Sequence, residues 1–132
     1  MKIKIDTLNP RPIYEQVRDQ IVLAIACGEL SDGSVLLSVR KLADELDINF
    51  HTVSKSYALL ENEGYISNDR KRGAVVSSRN LVKESYKKTL SEKISLLGAE
   101  ASCHQISLEE FIATCIAGYK KATTHKIKEE NK

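Results

Sequence analysis

Apolar residues recur along this chain in two different periods, and the switches between them predict most of its elements. Lys2–Asp6 alternates, with Ile3 and Ile5 on one side and Lys2, Lys4 and Asp6 on the other, which predicts a short half-buried strand. Beyond Pro10, Ile13, Val17, Ile21, Ala24 and Ile25 recur at three- and four-residue steps, so a helix with one apolar face is expected up to Gly28. Pro12 suits its first turn, where a backbone N–H has no intrahelical partner to lose. Leu30–Leu37, which contains Asp32 and Gly33, reads as a turn. Ser38 then caps a short helix with Val39, Leu42, Ala43 and Leu46 inward, ending near Asp47. Asn49 caps another, with Val53, Tyr57 and Leu60 on one face and Gly64 as its stop. Two caps about ten residues apart imply two helices joined by a tight turn, the spacing of a helix-turn-helix.

The period then shortens. Tyr65–Asn68 and Ala74–Ser77 are β-prone runs flanking Asp69-Arg70-Lys71-Arg72-Gly73, which predicts a hairpin, a wing, with a cationic tip. From Leu81 the pattern is helical again: Leu81, Leu90, Ile94 and Leu97 form a loose stripe expected to stop at Gly98, with a linker after it. Ser107 and Glu110 form a capping box, and Leu108, Phe111, Ile112, Cys115 and Tyr119 continue an apolar face. Lys120–Lys132 is polar and is expected to fray. The fold class is therefore mainly α with a small β-hairpin: a winged helix-turn-helix over residues 1–78 and a two-helix dimerisation tail over 79–132, parted near Ser78–Asn80. Two lone helices cannot bury the apolar faces of Leu81–Leu97 and Leu108–Tyr119, and a second copy of the chain would cover them, so a homodimer is expected.

Composition and charge narrow the function. With 132 residues, 42% hydrophobic and 29% charged, the chain suits a compact module with a short appendage and leaves no room for a large second domain. A net charge of +2 is too small to imply nucleic acid by itself, so the placement of Lys and Arg has to decide. Cys27, Cys103 and Cys115 are odd in number and widely spaced, which argues against a disulfide framework. The longest apolar run, Ile21–Cys27, falls far short of the roughly 20 residues that span a bilayer, and no signal-like pattern opens the chain. A soluble, cytoplasmic protein with no membrane partner is expected. No phosphate loop, GxSxG, HExxH or supported carboxylate pair is visible, so neither an enzyme nor a cofactor is expected. Cys103-His104 is the sole Cys/His neighbour pair, and a metal site would need further ligands, so none is assigned. Oxidation, metal or pH sensing through Cys103, His104 or Cys115 is suggested by residue type alone.

The polar chemistry is concentrated in two places. A recognition helix presents short polar or basic side chains from its first turns to the major groove while its other face stays in the core. Asn49-Phe50-His51-Thr52-Val53-Ser54-Lys55 meets that demand, with Phe50, His51, Ser54 and Lys55 off the inward face. At the wing, Arg70, Lys71 and Arg72 can meet phosphates or the minor groove, and Gly73 allows close backbone approach. Arg40 is either a phosphate clamp or an ion-pair partner of Asp44 one helical turn on.

Over Pro12–Ser78 the chain resembles the GntR family of bacterial regulators, and within it the short YtrA-like branch. The resemblance rests on Pro12-Ile13-Tyr14-Glu15-Gln16-Val17, Gly28-Glu29-Leu30, Gly33, Leu36-Leu37-Ser38-Val39-Arg40-Lys41-Leu42-Ala43, Asn49-x-x-Thr52-Val53-Ser54-Lys55, Tyr57, Leu60-Glu61-x-Glu63-Gly64-Tyr65-Ile66 and Arg72-Gly73. It implies DNA contacts from Arg40, Phe50, His51, Thr52, Ser54, Lys55, Lys71, Arg72 and Gly73. Leu37 stands where the family usually has Pro, Lys71 where it has Gly, Ala74 where Thr is frequent, and Phe50 where Arg or Pro is usual. The 54 residues after Ser78 resemble the branch's dimerisation element, and in place of a large sensor or enzyme domain they leave room for at most an unknown small-molecule effector. The resemblance implies a sequence-specific DNA-binding transcription regulator, a repressor on a palindromic operator of double-stranded DNA, controlling a transporter operon. Against it stands a winged helix used as a protein–protein adaptor, which would need neither the cationic wing nor the polar helix start.

Overall fold

Helix α1 (Ile13–Ala26) starts directly after Pro12, whose carbonyl accepts the Glu15 and Gln16 amides at 3.1 and 3.2 Å. Its Val17, Ile21 and Ala24 are buried, and the helix gives way to Cys27 and Gly28 as the pattern predicts. Both expected caps form. Ser38 Oγ accepts the Lys41 amide at 3.1 Å to open α2 (Val39–Leu46), and Asn49 Oδ1 accepts the His51 amide at 2.7 Å to open α3 (Phe50–Glu63). Gly64 closes α3 at φ 92°, in the left-handed region that a side chain would strain. The computed structural model describes residues 2–77 and 81–130, with side chains placed through residue 124.

These three helices enclose one core of Val17, Ile21, Leu42, Ala43, Val53, Tyr57 and Leu60, closed by Ile66 and Val76 from the wing. The wing is an antiparallel pair, β1 (Ile66–Asp69) and β2 (Gly73–Val76), registered Ile66 to Val76 and Asp69 to Gly73. The run expected to be a plain turn before α2 does more than turn. Val35 bridges Val75, and the Gly33 and Leu36 amides donate to the Val76 and Ala74 carbonyls, both at 2.9 Å, while the Val76 amide returns a bond to Ser34 O at 2.9 Å. The exposed edge of β2 is thereby paired from behind, with Leu36 buried beneath it.

The expected strand at Lys2–Asp6 forms no sheet. The alternation itself holds, with Ile3 buried and Ile5 half-buried. The backbone pairs instead with two glutamines of α1: Gln20 Oε1 accepts the Lys4 amide at 2.9 Å and Gln16 Oε1 accepts the Asp6 amide at 3.0 Å. Each glutamine Nε2 donates back to the carbonyl of the same residue, at 2.6 Å for Lys4 and 3.1 Å for Asp6. Two residues of extended chain span about 6.8 Å and four residues of helix rise about 6 Å, so the two repeats match.

The described residues fall into two compact units, of which the second is Val82–Thr124. It comprises α4 (Lys83–Cys103) and most of α5 (Leu108–Glu130). Helix α4 starts at Lys83, so Leu81 lies ahead of it. Leu81 belongs to the first unit, and a Cβ built on Gly64 would lie 3.2 Å from its Cδ2. Gly98 does not stop α4. A mid-helix glycine costs about 1 kcal/mol, too little to end a helix flanked by Leu96, Leu97, Ala99, Glu100 and Ala101. The stop comes at His104 and Gln105, where Gln105 takes φ 63° and the Ile106 amide donates to Ala101 O at 2.9 Å. The expected linker is thus only the short turn from His104 to Ser107. Ser107 Oγ then accepts the Glu110 amide at 3.1 Å, as the capping box predicts. The polar end expected to fray is helical through Glu130. The boundary expected at Ser78–Asn80 lies outside the described residues.

Helices α4 and α5 have little packing between them, and α4 buries no residue. Leu90, Ile94, Leu97, Leu108, Ile112, Ile116 and Tyr119 are exposed, Tyr119 by 76%, and Phe111 is half-buried. None of the helices among the described residues is long and apolar enough to cross a membrane.

Candidate nucleic-acid interface

The start of α3 is held rigidly from its inner face. Ser56, fully buried, donates from Oγ to the Tyr14 carbonyl at 2.7 Å, with Thr52 O also within range at 3.1 Å, and so locks α3 onto α1. Tyr57 Oη donates to Leu37 O at 2.7 Å, tying α3 to the strand-like run that leads into α2. Burial pushes the Tyr57 phenol up to about 12, so it stays a neutral donor. At the far end Arg18 of α1 makes a two-pronged pair with Glu63, Nε to Oε1 at 2.8 Å and Nη2 to Oε2 at 3.0 Å, and lies 5.4 Å from the Tyr65 ring centroid. Burial alone would lower the Arg18 pKa, but the hydrogen bonds it donates to Glu63 and Asp19 prevail and hold the guanidinium charged.

With the inner face fixed, the residues expected to meet DNA remain at the surface. Phe50, His51 and Lys55 are exposed, and Thr52 and Ser54 are half-buried. The Arg40 guanidinium sits 5.4 Å from the Phe50 ring centroid, so this cation pairs with an aromatic face and leaves Asp44 aside. The Phe50 and His51 rings meet edge to face at 5.5 Å. Arg40, Phe50 and His51 thus form one cluster where the starts of α2 and α3 come together. Phe50 has a physical role here as the platform for Arg40. Lys55 Nζ lies 4.0 Å from the Tyr14 ring centroid, a partner that the sequence pattern did not single out.

Ser54 and Gly73 are brought together across a cleft of about 370 Å³ between α3 and the wing, lined also by Ser38, Ala58, Ser67 and Asn68. Beyond it the tip is shaped by Asp69, which the sequence pattern treated only as a turn residue. Asp69 Oδ1 accepts the Lys71 amide at 2.8 Å and the Arg72 amide at 3.0 Å, and Oδ2 accepts Arg72 Nη2 at 3.2 Å. Those backbone bonds first, and the Arg72 guanidinium after them, hold the Asp69 carboxyl below its usual range. Gly73, at φ 84°, completes the three-residue loop. Arg70 and Lys71 are exposed and make no ion pair among the described residues.

Among the described residues no group of three His, Cys, Asp or Glu side chains comes together as metal ligands, and Cys27, Cys103 and Cys115 form no disulfide. What the arrangement presents is a polar helix start between two groups of cations.

The chain is similar to known proteins in sequence and fold. Residues 13–76 match the family described as bacterial regulatory proteins, gntR family. The chain is 34% identical to the HTH-type transcriptional repressor YtrA of Bacillus subtilis (strain 168) over 110 residues, covering 82% of this chain and 85% of that one. Among solved structures, YtrA from Sulfolobus acidocaldarius, a GntR-family transcription factor, is similar at 41% identity and a TM-score of 0.62, with 74% of this chain and 97% of that chain covered. A transcriptional antiterminator from Listeria monocytogenes EGD-e superposes with a TM-score of 0.83 at 23% identity, covering 92% of each chain, a likeness of fold alone.

Proposed function

This chain belongs to the GntR family of bacterial regulatory proteins and is a DNA-binding transcription regulator, not an enzyme; from that premise we propose that it is a repressor that grips a palindromic operator as a homodimer. The observation that carries the reading is the surface just described. Arg40, Phe50, His51, Thr52, Ser54 and Lys55 lie on or beside the capped start of α3, and Arg70, Lys71, Arg72 and Gly73 form the wing tip across the cleft. Lys and Arg would neutralise phosphates and fix register, while His51, Thr52 and Ser54 would reach base edges in the major groove.

The dimer would form through Leu90, Ile94, Leu97, Leu108, Phe111, Ile112, Cys115 and Tyr119. Leu81, beside Gly64 in the first unit, is left out of that set, and the boundary expected near Ser78–Asn80 is proposed to fall just after it. Pairing two copies would place two recognition helices about 34 Å apart, one turn of DNA between half-sites. The repressor sense is supported by the curated relative of that name, the transporter operon by resemblance to the branch, and a cytoplasmic location by the DNA partner.

The test is a salt series on a duplex selected from random sequence. For each phosphate neutralised, log affinity falls by about 0.9 per decade of salt, and Lys55→Ala and Arg72→Ala each flatten the slope by about one such contact. Binding that ignores salt, or both variants behaving as wild type, would favour the protein-adaptor reading instead.

A further inference from the structure

Asp69 is the acid in a tip that is otherwise cationic, lying next to Arg70, Lys71 and Arg72 in sequence and facing Gly73 across the hairpin. A carboxylate there is unfavourable for a surface that meets phosphates, since like charges repel across the interface. Its two oxygens have separate partners. Oδ1 takes the Lys71 and Arg72 amides at 2.8 and 3.0 Å, the bonding of a side chain that stands in for backbone at the first position of a tight turn. Oδ2 takes the Arg72 guanidinium at 3.2 Å. One oxygen shapes the loop and the other occupies a cation.

Resting on the DNA-binding reading above, we propose that Asp69 is a positioning residue and an internal competitor with DNA. Through Oδ1 it sets the loop that presents Arg70 and Lys71, and through Oδ2 it holds Arg72 until a phosphate takes the carboxylate's place. Arg70 and Lys71 have no acid partner among the described residues, so they meet phosphate directly, whereas Arg72 must exchange one anion for another. Carboxylate and phosphate oxygens both accept from a guanidinium, so either anion can occupy Arg72. Asp69 therefore restrains the electrostatic part of binding, which supplies essentially all affinity for non-specific DNA.

Asparagine separates the two roles, because it keeps the Oδ1 acceptor, is itself a favoured turn residue, and loses the charge that holds Arg72. The experiment compares wild type, Asp69→Asn, Asp69→Ala, Arg72→Ala and the Asp69→Asn/Arg72→Ala double variant of the full chain on a random-sequence duplex by fluorescence anisotropy. Asp69→Asn is expected to bind about two- to five-fold tighter at low salt, the range an exposed ion pair supports. That gain shrinks as salt rises and disappears when Arg72 is absent, with only the small fall in melting temperature that losing one exposed ion pair brings. Asp69→Ala, which loses the turn acceptor too, binds more weakly than Asp69→Asn. Unchanged or weaker binding by Asp69→Asn would overturn the proposal. An equal gain with and without Arg72 would do the same, by assigning the effect to a general field. Salt-dependent binding by wild type in either case would leave the DNA reading standing, while its absence from all five proteins would bring that reading down together with the proposal.

Discussion

At the scale of single residues, the groups that position α3 are polar and buried, and their contributions can be measured. Tyr57 donates to Leu37 O, and replacing it with Phe leaves that carbonyl without its donor at a cost of about 1 kcal/mol near neutral pH. The phenol also carries a pH signature. Its pKa is raised from the ordinary value to about 12 in the folded protein, so the folded state favours the neutral form. Its contribution is complete below the unfolded value of about 10 and is lost as pH climbs through the folded value. Urea unfolding near neutral pH and at about pH 11 is expected to show a larger alkaline loss for wild type than for Tyr57→Phe. Equal losses would mean that other groups govern the alkaline response. The same scale explains why Phe50 could not be understood from its position in the pattern: its neighbour Arg40 lies ten residues away on another helix, and no period links them.

At the scale of elements, the segment before α1 shows how a strand pattern can be satisfied without a strand. Gln16 is buried, and its amide holds the Asp6 amide, the Asp6 carbonyl and the Arg11 carbonyl. Gln16→Ala is expected to destabilise the winged unit by about 1–3 kcal/mol through those unsatisfied groups, and to raise exchange of the Asp6 amide well before α1 responds. A uniform rise across the unit would contradict this local release. Elements defined by neighbours in sequence were legible from the start: the caps Ser38, Asn49 and Ser107, the stop at Gly64, and the inward stripes of the first three helices. Those that depend on a distant partner were not. Val35 gives no sign that it will bridge Val75, and Lys2–Asp6 looks the same whether its partner is a strand or a pair of glutamines. Gly98 misled for a different reason, since a glycine's weak preference against helix is outvoted by strong helix formers on both sides. The candidate interface was legible as a set of residues and illegible as a set of pairings, because Lys55 with Tyr14 and Asp69 with Arg72 depend on side-chain geometry.

At the scale of the whole molecule, the second unit leaves apolar side chains in water along both of its helices, with Leu97 51% and Leu108 72% exposed. Burying a side chain of this size contributes about 1.5–3 kcal/mol, so a second copy covering several of them supplies enough to hold a dimer. Ile94→Glu with Ile112→Glu is expected to give a monomer by sedimentation equilibrium, with the winged unit still folded and operator affinity reduced at least ten-fold. A dimer that survives both changes would move the interface elsewhere. The pairing of Gly33–Leu36 onto β2 has its own consequence for how such a protein can change over time or in the laboratory. Because the wing is fastened along its back while residues 70–72 extend free of that pairing, the tip is the replaceable part of the tool and the stem its handle. Rewriting the tip alters what is touched and leaves unchanged how far from α3 the touch falls. On the DNA-binding reading proposed above, affinity would thus be tuned there, one side chain at a time, without refitting the grip.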